Sequence, residues 1–84
     1  KKLTDRSIAL VGIDLESERY VDAIRDLKTV EQVESLFTSS GDHTLMAEVQ
    51  ACDGDALGAV IDEEILTVEG VRAAHPAVLQ ERLK

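Results

Sequence analysis

The order of the hydrophobic patterns constrains this chain most. Two short alternating segments are joined by Ser39-Ser40-Gly41-Asp42-His43-Thr44, and each is flanked on its far side by an amphipathic helical stretch. A short polar run containing Gly between alternating segments is turn chemistry, so the two segments pair antiparallel. With the apolar run 8–15 ahead of the first helix and the run 71–79 behind the second, the chain reads β-α-β-β-α-β. That order builds an α+β fold, a four-stranded antiparallel sheet with two helices on one face. The other face of the sheet is then left without cover.

Residue by residue, the patterns make specific expectations. The segment Ile8-Ala9-Leu10-Val11-Gly12-Ile13-Asp14-Leu15 is apolar on both faces, as suits a strand covered from two sides. Gly12 within it is costly unless something packs closely over it. Ser17 is placed to cap the first helix, whose stripe is Tyr20, Val21, Ile24 and Leu27. In the second strand, residues 33–38, Val33, Ser35 and Phe37 share one face. In the third, Leu45, Ala47, Val49 and Ala51 point to the helices, and Thr44, Met46, Glu48 and Gln50 point away. Asp53 or Asp55 starts the second helix, its stripe is Leu57, Val60, Ile61, Ile65 and Val68, and Gly70 ends it. Pro76 cannot donate to a ladder, so the last strand is irregular there or lies at an edge.

An 84-residue chain is one small domain, divided here into a lead-in at 1–6 and a folded domain at 7–84. With one cysteine, no disulfide scaffold and no metal-ligand spacing, the usual supplement to so small a core is oligomerisation. The uncovered sheet face, with Gly12, Phe37 and Met46 on it, predicts a homodimer packed sheet to sheet about a two-fold axis. Cys52 reads as a buried, inert thiol compatible with a reducing cytoplasm, and no run is apolar and long enough to enter a membrane. Seventeen acidic against nine basic residues give a net charge of −8. A phosphate backbone is repelled by such a surface, so DNA is not bound by this chain itself. Self-repulsion of that kind also predicts assembly that strengthens with salt.

Three stretches carry a family resemblance: Val11-Gly12-Ile13-Asp14-Leu15, Ser40-Gly41-Asp42-His43-Thr44-Leu45 and Val68-Glu69-Gly70-Val71-Arg72. Together they resemble the effector-binding domain of the Lrp/AsnC family, also called the RAM domain. The resemblance implies a ferredoxin-like fold and a domain that senses a small metabolite, an amino acid, for a transcription regulator. It implies an effector seated between dimers, at Ser40, Gly41, Asp42, His43 and Thr44, with Ala74 and His75 contributed by a neighbouring subunit. Homodimers would assemble further, into an octamer or ring of dimers, and DNA would be bound only through a separate helix-turn-helix domain. His43 stands where the family carries an aromatic, Thr44 where it carries a carboxylate, and Ala74-His75-Pro76 where it is rich in Thr. These departures imply an atypical effector. The alternative is an ACT-like regulatory module of a metabolic enzyme, for which the acidic, Gly-free turn Glu16-Ser17-Glu18 is poorly suited.

The chemistry of the turn has two compatible readings. Gly41 supplies a positive φ, and it also leaves N–H groups open to an α-carboxylate. Asp42 either closes the turn through its own side chain or meets an α-ammonium. His43 and His75 with Asp42 lack a third and fourth ligand at metal-like spacing, so no metal and no cofactor are expected. Asp53-Gly54-Asp55 is better read as a helix cap than as a calcium loop. Asp62-Glu63-Glu64 forms a solvated face, with Glu64 nearest the apolar stripe. No nucleophile elbow, phosphate loop or acid–base pair assembles, so the chain is not expected to be an enzyme.

Overall fold

The computed structural model describes residues 6–84, so residues 1–5 of the expected lead-in lie outside the described residues. Strand β1 (Ser7–Leu15) leads through a 3₁₀ turn, Ser17–Arg19, into helix α1 (Tyr20–Leu27). Strands β2 (Val33–Thr38) and β3 (Leu45–Ala51) follow, then helix α2 (Gly54–Val60), prolonged by a π-helical turn at Ile61–Ile65, and strand β4 (Val71–Leu79). The strands lie in the order β2-β3-β1-β4 and every pairing is antiparallel. Pro76 therefore sits on an edge strand, opposite Val11. There its missing N–H costs no second ladder.

The alternation of β3 is obeyed without exception. Leu45, Ala47, Val49 and Ala51 are buried, and Met46, Glu48 and Gln50 are only partly covered. These buried residues join Ala9, Val11 and Ile13 of β1 beneath Ala23 and Leu27 of α1 and Leu57, Val60, Ile61 and Ile65 of the second helical segment. Asp53 caps α2 by accepting the Ala56 N–H at 2.8 Å. Gly70, at φ 100°, is in the left-handed region, and a Cβ there would lie 2.7 Å from that of Arg19. Only glycine lets the chain reverse against α1 at that point and offer its carbonyl to the Glu16 N–H at 2.8 Å.

Several local expectations are corrected. Val33 does not share a face with Ser35 and Phe37. The register slips between Val33 and Ser35, so Val33 pairs with Val49 and packs on the core, while Ser35 opposes Glu48 and Phe37 opposes Met46. An extra residue in one strand inverts the period-two phase beyond it. Val21 is 73% exposed, and Ala23 takes its place against the core, because residues 20, 23, 24 and 27 share one face of an α-helix and residue 21 lies about 100° around from Tyr20. Ser17 caps nothing: its hydroxyl meets Glu18, and neither turn nor helix has a side-chain cap. Cys52 is exposed, since it lies in the turn one residue past the end of β3. Gly41 does not adopt positive φ, its N–H is taken by the Ser39 hydroxyl at 3.2 Å, and a Cβ there would meet ordinary space. Asp62, Glu63 and Glu64 are all exposed, as expected of a solvated face.

Candidate functional site

Strand register places the site on the sheet face that carries no helix. Gly12 of β1 lies between Met46 of β3 and His75 of β4, and Asp14 follows on the same face opposite Ala73. Two residues along a strand share a face, so Gly12 and Asp14 point the same way. The β2–β3 turn, closed by the Ser39 N–H on the Thr44 carbonyl at 3.0 Å, folds His43 back over this surface. The His43 ring occupies the space that a Cβ on Gly12 would fill. The close cover that Gly12 requires thus comes from within the chain, and Gly12 is buried by it.

Asp14 stands between two imidazoles. His43 Nδ1 lies 2.9 Å from Asp14 Oδ1, and His75 Nε2 lies 3.1 Å from Asp14 Oδ2. An ionised carboxylate only accepts, so both histidines donate. Their rings stack with centroids 4.6 Å apart and planes 26° from parallel. The His43 hydrogen bond is the largest influence on Asp14 and holds its carboxyl below the ordinary 3.8; desolvation opposes it, and the His75 hydrogen bond and the charges of both rings reinforce it. Because the folded value is depressed, this stabilisation is complete above the ordinary carboxylate range and is lost as pH falls through the folded value. The melting temperature of the native chain should accordingly exceed that of Asp14→Asn above the ordinary carboxylate range, and the margin should shrink as the pH falls through that range and below it. A margin that stays constant into strong acid would show that Asp14 gains nothing from its histidines.

The expected site residues divide. Ser40, Gly41 and Asp42 are exposed in the turn, and His43 and Thr44 are half-buried at its end. His75 meets His43 in the same chain, whereas Ala74 pairs with Ile13 on the helix side and packs on the core. Ala74 is thereby left with only its backbone to offer. Phe37 and Met46 do lie on the helix-free face with Gly12, as neighbours across β2 and β3. Asp14 and Arg72 were not anticipated. Asp14 is two residues past Gly12, a period-two signal, but which loop covers it depends on strand register that spacing does not encode. A shallow cleft of about 400 Å³ beside the turn is lined by Asp14, Leu15, Asp42, Thr44, Arg72 and Ala73. One basic and two acidic residues, Arg72, Asp14 and Asp42, line this one opening.

The model of the Lrp/AsnC ligand binding domain matches residues 8–84. The chain belongs to the Lrp/AsnC family. It is 62% identical along its whole length to the HTH-type transcriptional regulator LrpA1 of Halobacterium salinarum, and spans 59% of that protein. Among solved structures it resembles Escherichia coli AsnC, with a TM-score of 0.86 at 20% identity over 95% of this chain and 54% of that one. A Neisseria meningitidis transcriptional regulator, solved as a complex with L-Met, matches 93% of this chain and 52% of its own with a TM-score of 0.79 at 18% identity. The ferredoxin-like architecture is shared by both of these solved structures. Membership in the Lrp/AsnC family, whose matched relatives are HTH-type transcriptional regulators, sets aside both an enzyme and an ACT-like module. Among the described residues no helix is long and apolar enough to cross a membrane.

Proposed function

We propose that this domain binds a free amino acid and conveys its occupancy to a transcription regulator by changing how copies of the chain assemble. The observation that carries this reading is the cleft shared by Asp42, Thr44 and Arg72. An α-amino acid needs a fork of donors for its carboxylate and an acid for its ammonium, and Arg72 and Asp42 are of those two types. The Gly41 N–H is already donated to Ser39, so carboxylate recognition passes from the turn backbone to Arg72. The L-Met complex of the Neisseria meningitidis relative supports an amino acid as the class of effector. DNA contact belongs to a separate helix-turn-helix domain, since the net charge of −8 repels phosphate, and the reading places the domain in the cytoplasm. Calorimetric titration with the standard amino acids tests it. Asp42→Ala should weaken the responsive amino acid about tenfold or more, the loss of one charge-assisted hydrogen bond, without changing assembly. Binding that both Asp42→Ala and Arg72→Ala leave untouched would put the effector elsewhere, and no binding of any amino acid would refute the class.

Linkage requires an assembly for the effector to bias. The helix-free sheet face leaves Leu10 43%, Phe37 62% and Leu79 40% exposed, with Met46 beside Phe37. A second copy laid on this face would cover them and form the homodimer, with octamers or rings built from such dimers. Light scattering at micromolar concentration should report no monomer. Raising salt from low to molar shortens the reach of the acidic repulsion from above about 10 Å to about 3 Å, so both association and melting temperature should rise. A natively folded monomer, or a melting temperature that falls with salt, would contradict this.

A further inference from the structure

We propose that Asp14, His43 and His75 form a binding site for a divalent transition ion of the zinc class. Their donor atoms all lie within 4.8 Å of one another and include two imidazole nitrogens and a carboxylate oxygen. The carboxylate stands between the two nitrogens, 2.9 Å from one and 3.1 Å from the other. Each of those contacts uses the N–H of the facing ring nitrogen, and when an ion takes that place a neutral imidazole carries its hydrogen on the other ring nitrogen instead. Ligands held 2.0–2.1 Å from a tetrahedral ion are about 3.3 Å from each other, so side-chain shifts on the order of 1 Å convert the hydrogen-bonded cluster into a coordination shell.

Three features favour such a site over a chance meeting of surface side chains. The ligands come from three separate pieces of the fold, β1, the β2–β3 turn and β4, and two are on paired strands of one sheet. Gly12 keeps the space in which the His43 ring is seated. Access is also open, for the side chains of Asp14 and His43 are about one-third exposed and that of His75 is 54% exposed. Two nitrogens and one oxygen suit a borderline ion such as Zn²⁺ and disfavour Ca²⁺ and Mg²⁺, which take oxygen. Three protein ligands leave a position for water or another donor, the pattern of a zinc site that is not closed. Asp14 also lines the effector cleft, whereas His43 and His75 do not, so the ion is titrated with no amino acid present.

Zn²⁺ titration of untagged, chelator-stripped protein at neutral pH tests the proposal, with Cys52→Ser as background because that thiol is exposed. One ion per chain is expected, with no displacement by excess Mg²⁺. His43→Ala and His75→Ala should each weaken binding at least about 100-fold, since loss of an outer-shell partner alone costs 10–100-fold. Co²⁺ should give the intense visible bands of low coordination, lost in the same variants. Circular dichroism of the variants establishes that they fold, and Asp14→Asn provides a milder change if either alanine variant does not. Asp42→Ala should bind Zn²⁺ as the parent does. The proposal is overturned by an absence of micromolar Zn²⁺ binding, by binding that survives both histidine replacements, or by an Asp42→Ala loss as large as theirs.

Discussion

Ile13→Ala will lower the stability of this domain by about 2–5 kcal/mol, the range for removing a large aliphatic side chain from a core. Ile13 is fully buried at the centre of the sheet, paired with Leu45 on one side and Ala74 on the other. Strand β1 is held by ladders to both β3 and β4, so its backbone cannot move inward to close the cavity. The cost should therefore fall toward the upper part of that range. Domains are stable by only about 5–15 kcal/mol in all, so a large share of the total is lost. For a chain of this length that corresponds to a fall of more than about 10 °C in melting temperature, which calorimetry would register. A fall of only a few degrees would mean that the helices do not press on β1 as described.

The same strand explains why the fold was legible and the site was not. Fold order depends on local period and turn chemistry, and residues such as Leu45, Ala47, Val49 and Ala51 state both their element and their face within one segment. The period of β2 is broken by the bulge after Val33, whereas in α1 the regular helical stripe of residues 20, 23, 24 and 27 puts the small Ala23 inward and the larger Val21 outward. The bulge is set by the tertiary pairing it permits, so the segment read alone does not show it. The site is harder again. His43 and His75 were recognisable as chemistry, yet their common partner is Asp14, 29 residues from one and 61 from the other. A register of β1 against both neighbours must be known before these three meet. The effector cleft has the same character, for Asp42 in the β2–β3 turn and Arg72 at the start of β4 reach it from opposite sides of β1.

Gly12→Val separates the two faces of the sheet, because Gly12 lies next to Ile13 in the strand and points the opposite way. Its side chain would enter no core cavity; it would meet the ring of His43. Backbone strain is not at issue, since β1 is ordinary extended strand in which valine is favoured. The ring must swing away, giving up the 2.9 Å bond to Asp14 and the stack on His75. Overpacking of this kind typically costs about 1–3 kcal/mol, and here it is relieved by moving a side chain at the end of a loop, which places the cost at the low end. The larger effect is local. His43 should show in its imidazole NMR signals the loss of its carboxylate partner, Asp14 should titrate closer to its ordinary range, and the turn 39–44 should exchange its amide protons faster. Gly12→Ala, with only a methyl group, should produce the same changes in smaller measure, because even one Cβ overlaps the ring. Unaltered His43 signals in the valine variant would mean that the ring does not rest on Gly12, and the seating of the Asp14, His43 and His75 cluster would have to be redrawn.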